Sequence, residues 1–312
     1  MAGSTLPARR QRRYWQAGFY LLFLLAPALD LLRFDLNEAQ LWFLGMRWSL
    51  GIDAALRDGA PGQAAWSVLW RGIVPALLLV AGFFAVAWRY GRMYCGWLCP
   101  HFSMVEGLNA LMHRASGKFS FWDEAPTPRH GRTARRRWWP VFALACLAGG
   151  FVWALTLLTY LLDPRMIWHN LLHASLTPNQ WRFLLIGTAI FSAEFALARH
   201  LFCRFGCALG LFQSLVWMGN PRGMVVAFDR ARAPECRDCT PPAGDACDAG
   251  CPMRLNPRKI KRHMFTCVQC GACLDACDQS HQVRSRPASL EWKVGLDAVR
   301  ETLRQQRDAR RP

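Results

Sequence analysis

Eight of the thirteen cysteines lie between Cys236 and Cys277. The downstream run, CVQCGACLDACD, sets Cys267, Cys270, Cys273 and Cys277 at C-x2-C-x2-C-x3-C. The upstream run holds Cys236, Cys239, Cys247 and Cys251, with five extra residues in its middle and Pro252 after the last. Three closely spaced thiolates in a tight turn converge on three corners of a [4Fe–4S] cubane, and the fourth iron takes a thiolate from elsewhere. Two other chemistries use the same residues. A zinc ribbon takes two C-x2-C pairs, but three cysteines within seven residues crowd one tetrahedral ion. Disulfides need an oxidising compartment, whereas a basic domain joined to a membrane segment points to a reduced cytosol.

In two-cluster ferredoxins the fourth cysteine of each run ligates the other run's cluster. That rule assigns Cys236, Cys239, Cys247 and Cys277 to one cluster, and Cys267, Cys270, Cys273 and Cys251 to the other. A second constellation lies upstream: Cys95 and Cys99 in RMYCGWLCPH, Cys203 and Cys207 in RHLFCRFGCALG. On a helix, i and i+4 share a face, so each C-x3-C pair presents two thiols together. Four such thiolates can bind one soft ion such as Cu(I) or work as a redox dithiol, and the arginines nearby favour thiolate over thiol. The bland alternative is four ordinary buried cysteines. Glu194 falls in the middle of an apolar run, where a carboxylate either relays protons from a quinol or pairs with an arginine or backbone donor. His169 and His173, again i and i+4, can ligate haem or copper or meet a quinone, or simply sit at an interface. His101, His113, His130 and His263 show no ligand spacing. Cys146 stands alone in an apolar run as a small buried hydrophobe.

Four apolar runs must position these residues. They are Tyr14–Leu32, Trp66–Trp88 with Pro75 inside it, Trp138–Leu162 and Phe183–Phe202, each long enough to span a bilayer as a helix. The first has a charged start and an Ala26-Pro27-Ala28 trio that also suit a cleaved signal, yet it continues through Leu32 and reads as an uncleaved anchor. Residues 33–65 read as a mixed, loop-like segment containing Asp53, Arg57 and Asp58. Met93 to Arg137 reads as a long basic loop.

The chain is 53% hydrophobic and carries a net charge of +17. Its arginines flank apolar runs instead of covering a soluble domain, which argues against nucleic acid as a partner and for membrane lipid. With the amino terminus inside, inner segments ahead of the fourth apolar run hold thirteen Lys and Arg against six outside. Both termini and the cluster region are thus expected in the cytoplasm. No P-loop or Gly-rich dinucleotide fingerprint is present. The expected fold is a mainly α membrane protein, with four transmembrane helices and a small cytoplasmic α+β two-cluster ferredoxin-like domain. It divides into a basic tail (1–13), the membrane domain (14–232), the ferredoxin-like domain (233–283) and a polar, helix-compatible tail (284–312).

RMYCGWLCPH, HLFCRFGC and CVQCGACLDACD together resemble the membrane-bound 4Fe–4S polyferredoxins. These include the FixG and RdxA type of cytochrome oxidase accessory protein and the NapH and NosR type of quinol-linked protein. The resemblance runs from about Arg13 to Val283. FDLNEAQLWFLGMRW, NPRGMVVAFDRAR and Asp278 in place of the usual proline look more like the accessory branch. It implies two [4Fe–4S] clusters at the eight cysteines, a functional role for Cys95, Cys99, Cys203 and Cys207, and a bacterial inner-membrane setting. Redox partners would come from oxidase assembly or a respiratory reductase. Three departures stand out: this sequence stops at Pro312 without that branch's further span and immunoglobulin-like domain, Ala208 follows the second pair where proline is usual, and the first cluster run is stretched. Three functions remain: copper reduction for oxidase assembly, quinol oxidation with Glu194 or His169 taking protons, and a non-enzymatic scaffold or sensor.

Overall fold

The computed structural model describes residues 8–37, 40–50, 61–124, 126, 133–239, 246–282 and 285–310. The extra residues between Cys239 and Cys247, the segment with Asp53, Arg57 and Asp58, and His130 lie outside the described residues.

Among those residues, three helices are long and apolar enough to cross a membrane: Ala65–Tyr90, Arg136–Leu161 and Pro178–Ala198. Their hydropathy reaches 2.0, 2.2 and 1.4. At 1.5 Å per residue the shortest rises about 32 Å, matching the ~30 Å of bilayer hydrocarbon. They coincide with the second, third and fourth apolar runs. The first run differs. Its helix covers Ala8–Leu25 and begins with arginines. Ala26–Asp30 then turns, Asp30 takes φ 52°, and Leu32–Asp35 is a strand. Pro27 limits helix continuation, so the apolar part from Tyr14 to Leu25 rises only about 18 Å.

The chain forms two compact units, and one of them comprises Leu21–Ala85 and Leu147–Ser192. Here the segment expected as a loop is an antiparallel meander of Leu32–Asp35, Gln40–Phe43 and Met46–Trp48, in the register Leu32↔Phe43 and Leu41↔Trp48. Buried Arg33 holds its start, bonded to Asp30 and Asp35, with Arg33 and Arg47 both over the Trp42 ring. Pro75 cannot donate an amide to Arg71 one turn back, and its ring crowds that carbonyl. The helix answers with a π-turn at Leu69–Ile73, and the Trp48 indole donates to the Arg71 carbonyl at 2.7 Å. Gly150 against Ser192 and Gly187 against Ala154 let two helices approach closely, as small residues do in membrane helix pairs.

The other unit comprises residues 1–20, Val86–Cys146 and Ala193–Pro312. The expected basic loop is largely helical here: Met93–Trp97, then Pro100–Ser116 with proline in its first turn and Gly117 closing it at φ 76°. Phe102, Val105, Leu108 and Met112 form its buried stripe at helical spacing. The helix Ala208–Met218 follows the second cysteine pair. Strands Val225–Phe228 and Leu290–Lys293 pair antiparallel and flank the cysteine-rich stretch in sequence. The polar end of the chain continues as the helix Leu296–Arg310, whose Ala298, Glu301 and Gln305 are buried at i, i+3 and i+7.

Candidate functional site

Two short helices carry the last two cysteines of each run. Ala246–Gly250 carries Cys247 and ends before Cys251, while Ala272–Gln282 carries Cys273 and Cys277. They pack so closely that a side chain at Gly250 would meet Ala276 and the Ala272 carbonyl. Cys251, Cys267, Cys270 and Cys273 line one largely apolar cavity, together with Met253, Val268 and Trp292. Gln269 at φ 52° and Gly271 at φ 75° turn the loop that carries three of them. Cys236, Cys239, Cys247 and Cys277 pack into a second buried group with Val226, Phe228 and Leu290, and Cys273 reaches this group as well as the cavity.

Backbone amides already point at some of these sulfurs: Leu255 N–H at Cys251 Sγ and Ser289 N–H at Cys277 Sγ, both at 3.4 Å. Burial pushes the Cys236, Cys247, Cys251, Cys267 and Cys277 thiols up. His281 was not singled out by spacing, yet its Nε2 lies 4.0 Å from Cys239 Sγ and its Nδ1 lies 3.7 Å from Glu235. Asp278 accepts from Gln282 on the surface, away from the sulfurs.

The membrane-edge pairs are built alike, but not on continuous helices. Cys95 sits in Met93–Trp97, and Cys99 is the extended cap residue (ψ 117°) of Pro100–Ser116. Cys203 sits in the π-turn Phe202–Gly206, and Cys207 is the extended cap (ψ 105°) of Ala208–Met218. The shared-face expectation is corrected accordingly: the chain straightens at each second cysteine, where Pro100 or the end of a π-turn stops the first helix. The four thiols still gather. Cys95 and Cys207 act electrostatically on Cys99, and Cys95 and Cys99 act on Cys203.

Thiolate character is corrected as well. Burial lifts the Cys95 and Cys203 thiols, and Cys99 is pushed up to about 11, outweighing Arg92 and the Phe102 and His101 amides. Among the described residues, no three His, Cys, Asp or Glu side chains are grouped to hold a single metal ion. A cubane spreads its ligands over four corners, so its thiolates stand farther apart than those around one ion.

Glu194 opens the π-turn Glu194–Ala198 and lies 3.4 Å from His101 Nε2, with His101 packed between Phe195 and Phe202. This pairing joins residues ninety-three positions apart, which spacing along the chain does not reveal. His169 and His173 are exposed and stacked on one another at 4.2 Å, and His173 Nδ1 meets the His169 carbonyl.

The first cysteine pair and the cysteine-lined cavity meet directly. A side chain at Gly96 would overlap the Val268 carbonyl and press on the Cys270 backbone. The Trp97 indole donates to the Gln269 carbonyl at 3.0 Å. From the amino-terminal helix, Arg12 and Gln16 donate to the Gly96 carbonyl and to Glu106. Cys95, Cys203 and Cys251 share one core, with Cys99, Cys267 and Cys270 packed against it.

Comparison with known proteins points to the iron–sulfur class. A family described as a 4Fe-4S binding domain matches residues 73–118, which include Cys95 and Cys99. Protein RdxA of Cereibacter sphaeroides is 26% identical over 72% of this chain and 48% of its own length. Nitrogen fixation protein FixG of Rhizobium meliloti is 28% identical over 66% of this chain and 41% of its own. Ferredoxin-type protein NapH of Escherichia coli is 24% identical over 68% and 69%. The chain thus spans about half the length of RdxA and FixG. No solved structure matches it. By motif, helices and relatives together, the chain is similar to membrane proteins of the 4Fe–4S polyferredoxin type.

Proposed function

We propose that this chain carries electrons, one at a time, at the inner face of a bacterial cytoplasmic membrane. In this reading Ala65–Tyr90, Arg136–Leu161 and Pro178–Ala198 hold it in the bilayer, with the cysteine-rich region at the inner face. Cys251, Cys267, Cys270 and Cys273 hold one [4Fe–4S] cluster, and Cys236, Cys239, Cys247 and Cys277 hold the other. The cavity supports the first set: it is buried, apolar and lined by four sulfurs, with a backbone amide directed at one of them. When bound, the clusters supply one-electron storage at a potential set by hydrogen bonds, charge and exposure. NapH is named ferredoxin-type and a further relative, YccM, a putative electron transport protein, which supports the same class of function.

The observation that carries the reading is the shared core of Cys95, Cys203 and Cys251. It brings the cysteine-lined cavity against the membrane-edge thiols with no solvent between their backbones. Cys95, Cys99, Cys203 and Cys207 then offer soft ligands that draw together only when Cu(II) arrives, and one electron from a cluster converts it to Cu(I), which thiolates favour. The product would serve cytochrome oxidase assembly. Analysis of purified protein for iron and sulfide tests the foundation: about eight irons per chain fit two clusters, whereas zinc in place of iron overturns the assignment.

One observation favours a second reading, oxidation of a quinol for a respiratory reductase. The His101–Glu194 pair sits at the end of a membrane helix beside the thiols and can accept a quinol proton. Copper reduction and quinol oxidation by the same preparation separate the two.

A further inference from the structure

Arg92 is 1% exposed and lies where the membrane-edge thiols meet the ferredoxin-like region. It caps the short helix Met93–Trp97, and its Nη2 donates to the Cys203 carbonyl at 2.7 Å. Its Nε and Nη1 have no hydrogen-bond partner, and among the described residues no carboxylate pairs with it. Space for it is kept by Gly210, where a side chain would overlap the guanidinium. Its neighbour Gly91, at φ 65°, packs against the Gln269 side chain and the Trp217 ring. A buried, unpaired cation is costly unless negative charge arrives beside it. The other buried arginine near the cavity, Arg12, has such a partner in Glu106.

We infer that Arg92 is a positioning residue: a fixed counter-cation shared by the Cys251/Cys267/Cys270/Cys273 centre and the Cys95/Cys203 edge, raising that centre's reduction potential and favouring electron arrival there. The inference rests on the two-cluster reading. Arg92 reaches both sides: it holds the Cys203 carbonyl, and its neighbour Gly91 packs on Gln269, which lies between Cys267 and Cys270 in the chain. A cluster held by four thiolates is an anion that gains one more negative charge on reduction. A cation at its border stabilises the reduced form more than the oxidised one. Cys236, Cys239, Cys247 and Cys277 lie outside the core that Cys95, Cys203 and Cys251 share, so their centre should respond less.

The test is a redox titration followed by electron paramagnetic resonance, on the full chain in detergent, with iron content measured on every sample. Arg92→Gln should shift the reduction equilibrium of one centre at least tenfold toward the oxidised form, about 59 mV for one electron. The second centre should keep its potential. Arg92→Lys, which keeps the charge, should restore most of the shift. Gly210→Ala, which displaces the guanidinium without removing it, should reproduce part of it. Should Arg92→Gln lose its iron, Arg92→Lys and Gly210→Ala decide: wild-type potentials in Gly210→Ala overturn the inference. So do unchanged potentials, or equal shifts at both centres, in an iron-replete Arg92→Gln. A wild-type protein without two iron–sulfur signals fails earlier and overturns the two-cluster reading itself.

Discussion

Gly96 and Cys270 meet backbone to backbone. The volume a side chain at Gly96 would need is taken by the Val268 carbonyl oxygen and the Cys270 Cα. The contact joins the first membrane-edge pair to a loop bearing three cavity cysteines, and only glycine permits it. Gly96→Ala must push that loop away, at about 1–3 kcal/mol of overpacking strain. A lowered unfolding midpoint, with slower electron passage to the thiols at full iron content, is the expected result. Unchanged stability and rate would show that the contact does not carry the coupling.

Lys261 anchors the same unit from the other side. It is buried, donates to the Trp217 and Asn220 carbonyls at 3.0 and 2.6 Å, and lies 4.6 Å over the Trp217 ring. These carbonyls end the helix Ala208–Met218, where a cation is favoured. Lys261→Met leaves these carbonyls only their backbone partners and removes two charge-assisted bonds, which should cost about 1–3 kcal/mol in denaturant titrations. A variant as stable as wild type would contradict this.

Metal uptake at the membrane edge should be steeply pH-dependent. Burial raises Cys95 and Cys203 and pushes Cys99 up to about 11, so these thiols are protonated at neutral pH when no metal is present. A soft cation must displace those protons, so its affinity rises with pH and binding releases protons. For the metal-free fold the sign is opposite. A raised thiol pKa contributes stability below its ordinary value of 9.0, and that stability is lost as pH climbs toward 11. Calorimetry of Cu(I) binding in two buffers of different ionisation enthalpy would measure the released protons, and none released would contradict the prediction.

Glu194→Gln separates the two enzymatic readings. It keeps the shape beside His101 and removes the charge. If a quinol loses its proton there, quinol oxidation should fall at least tenfold, since general-base catalysis contributes about 10²–10⁴. Copper reduction should persist. Equal loss of both would make Glu194 structural.

Much of this architecture is legible in the sequence because its signals are local. Three helices follow from uninterrupted apolar runs, and the family resemblance follows from cysteine spacings that a cluster-binding chain cannot vary freely. What stayed hidden is either tertiary or set by a single residue. Tyr14–Leu32 reads as one span, but Pro27 and the positive φ of Asp30 end its helix at Leu25. The C-x3-C spacing suggests one helical face, but Cys99 and Cys207 adopt extended caps. The 33–65 segment hides three strands because Arg33, Asp30 and Asp35 pair only once the meander forms. Arg92 and the His101–Glu194 pair leave no mark on spacing, since their neighbours come from distant parts of the chain.

The central claim is that electrons pass from the buried cysteine groups to the four membrane-edge thiols. Rapid mixing of the chemically reduced, iron-replete protein with Cu(II), followed through the visible iron–sulfur absorbance, tests it most directly. Wild type should reoxidise in step with Cu(I) formation, one electron per ion, while Cys95→Ser with Cys99→Ser keeps its iron and reoxidises at least tenfold more slowly. Equal reoxidation in both proteins would contradict the account.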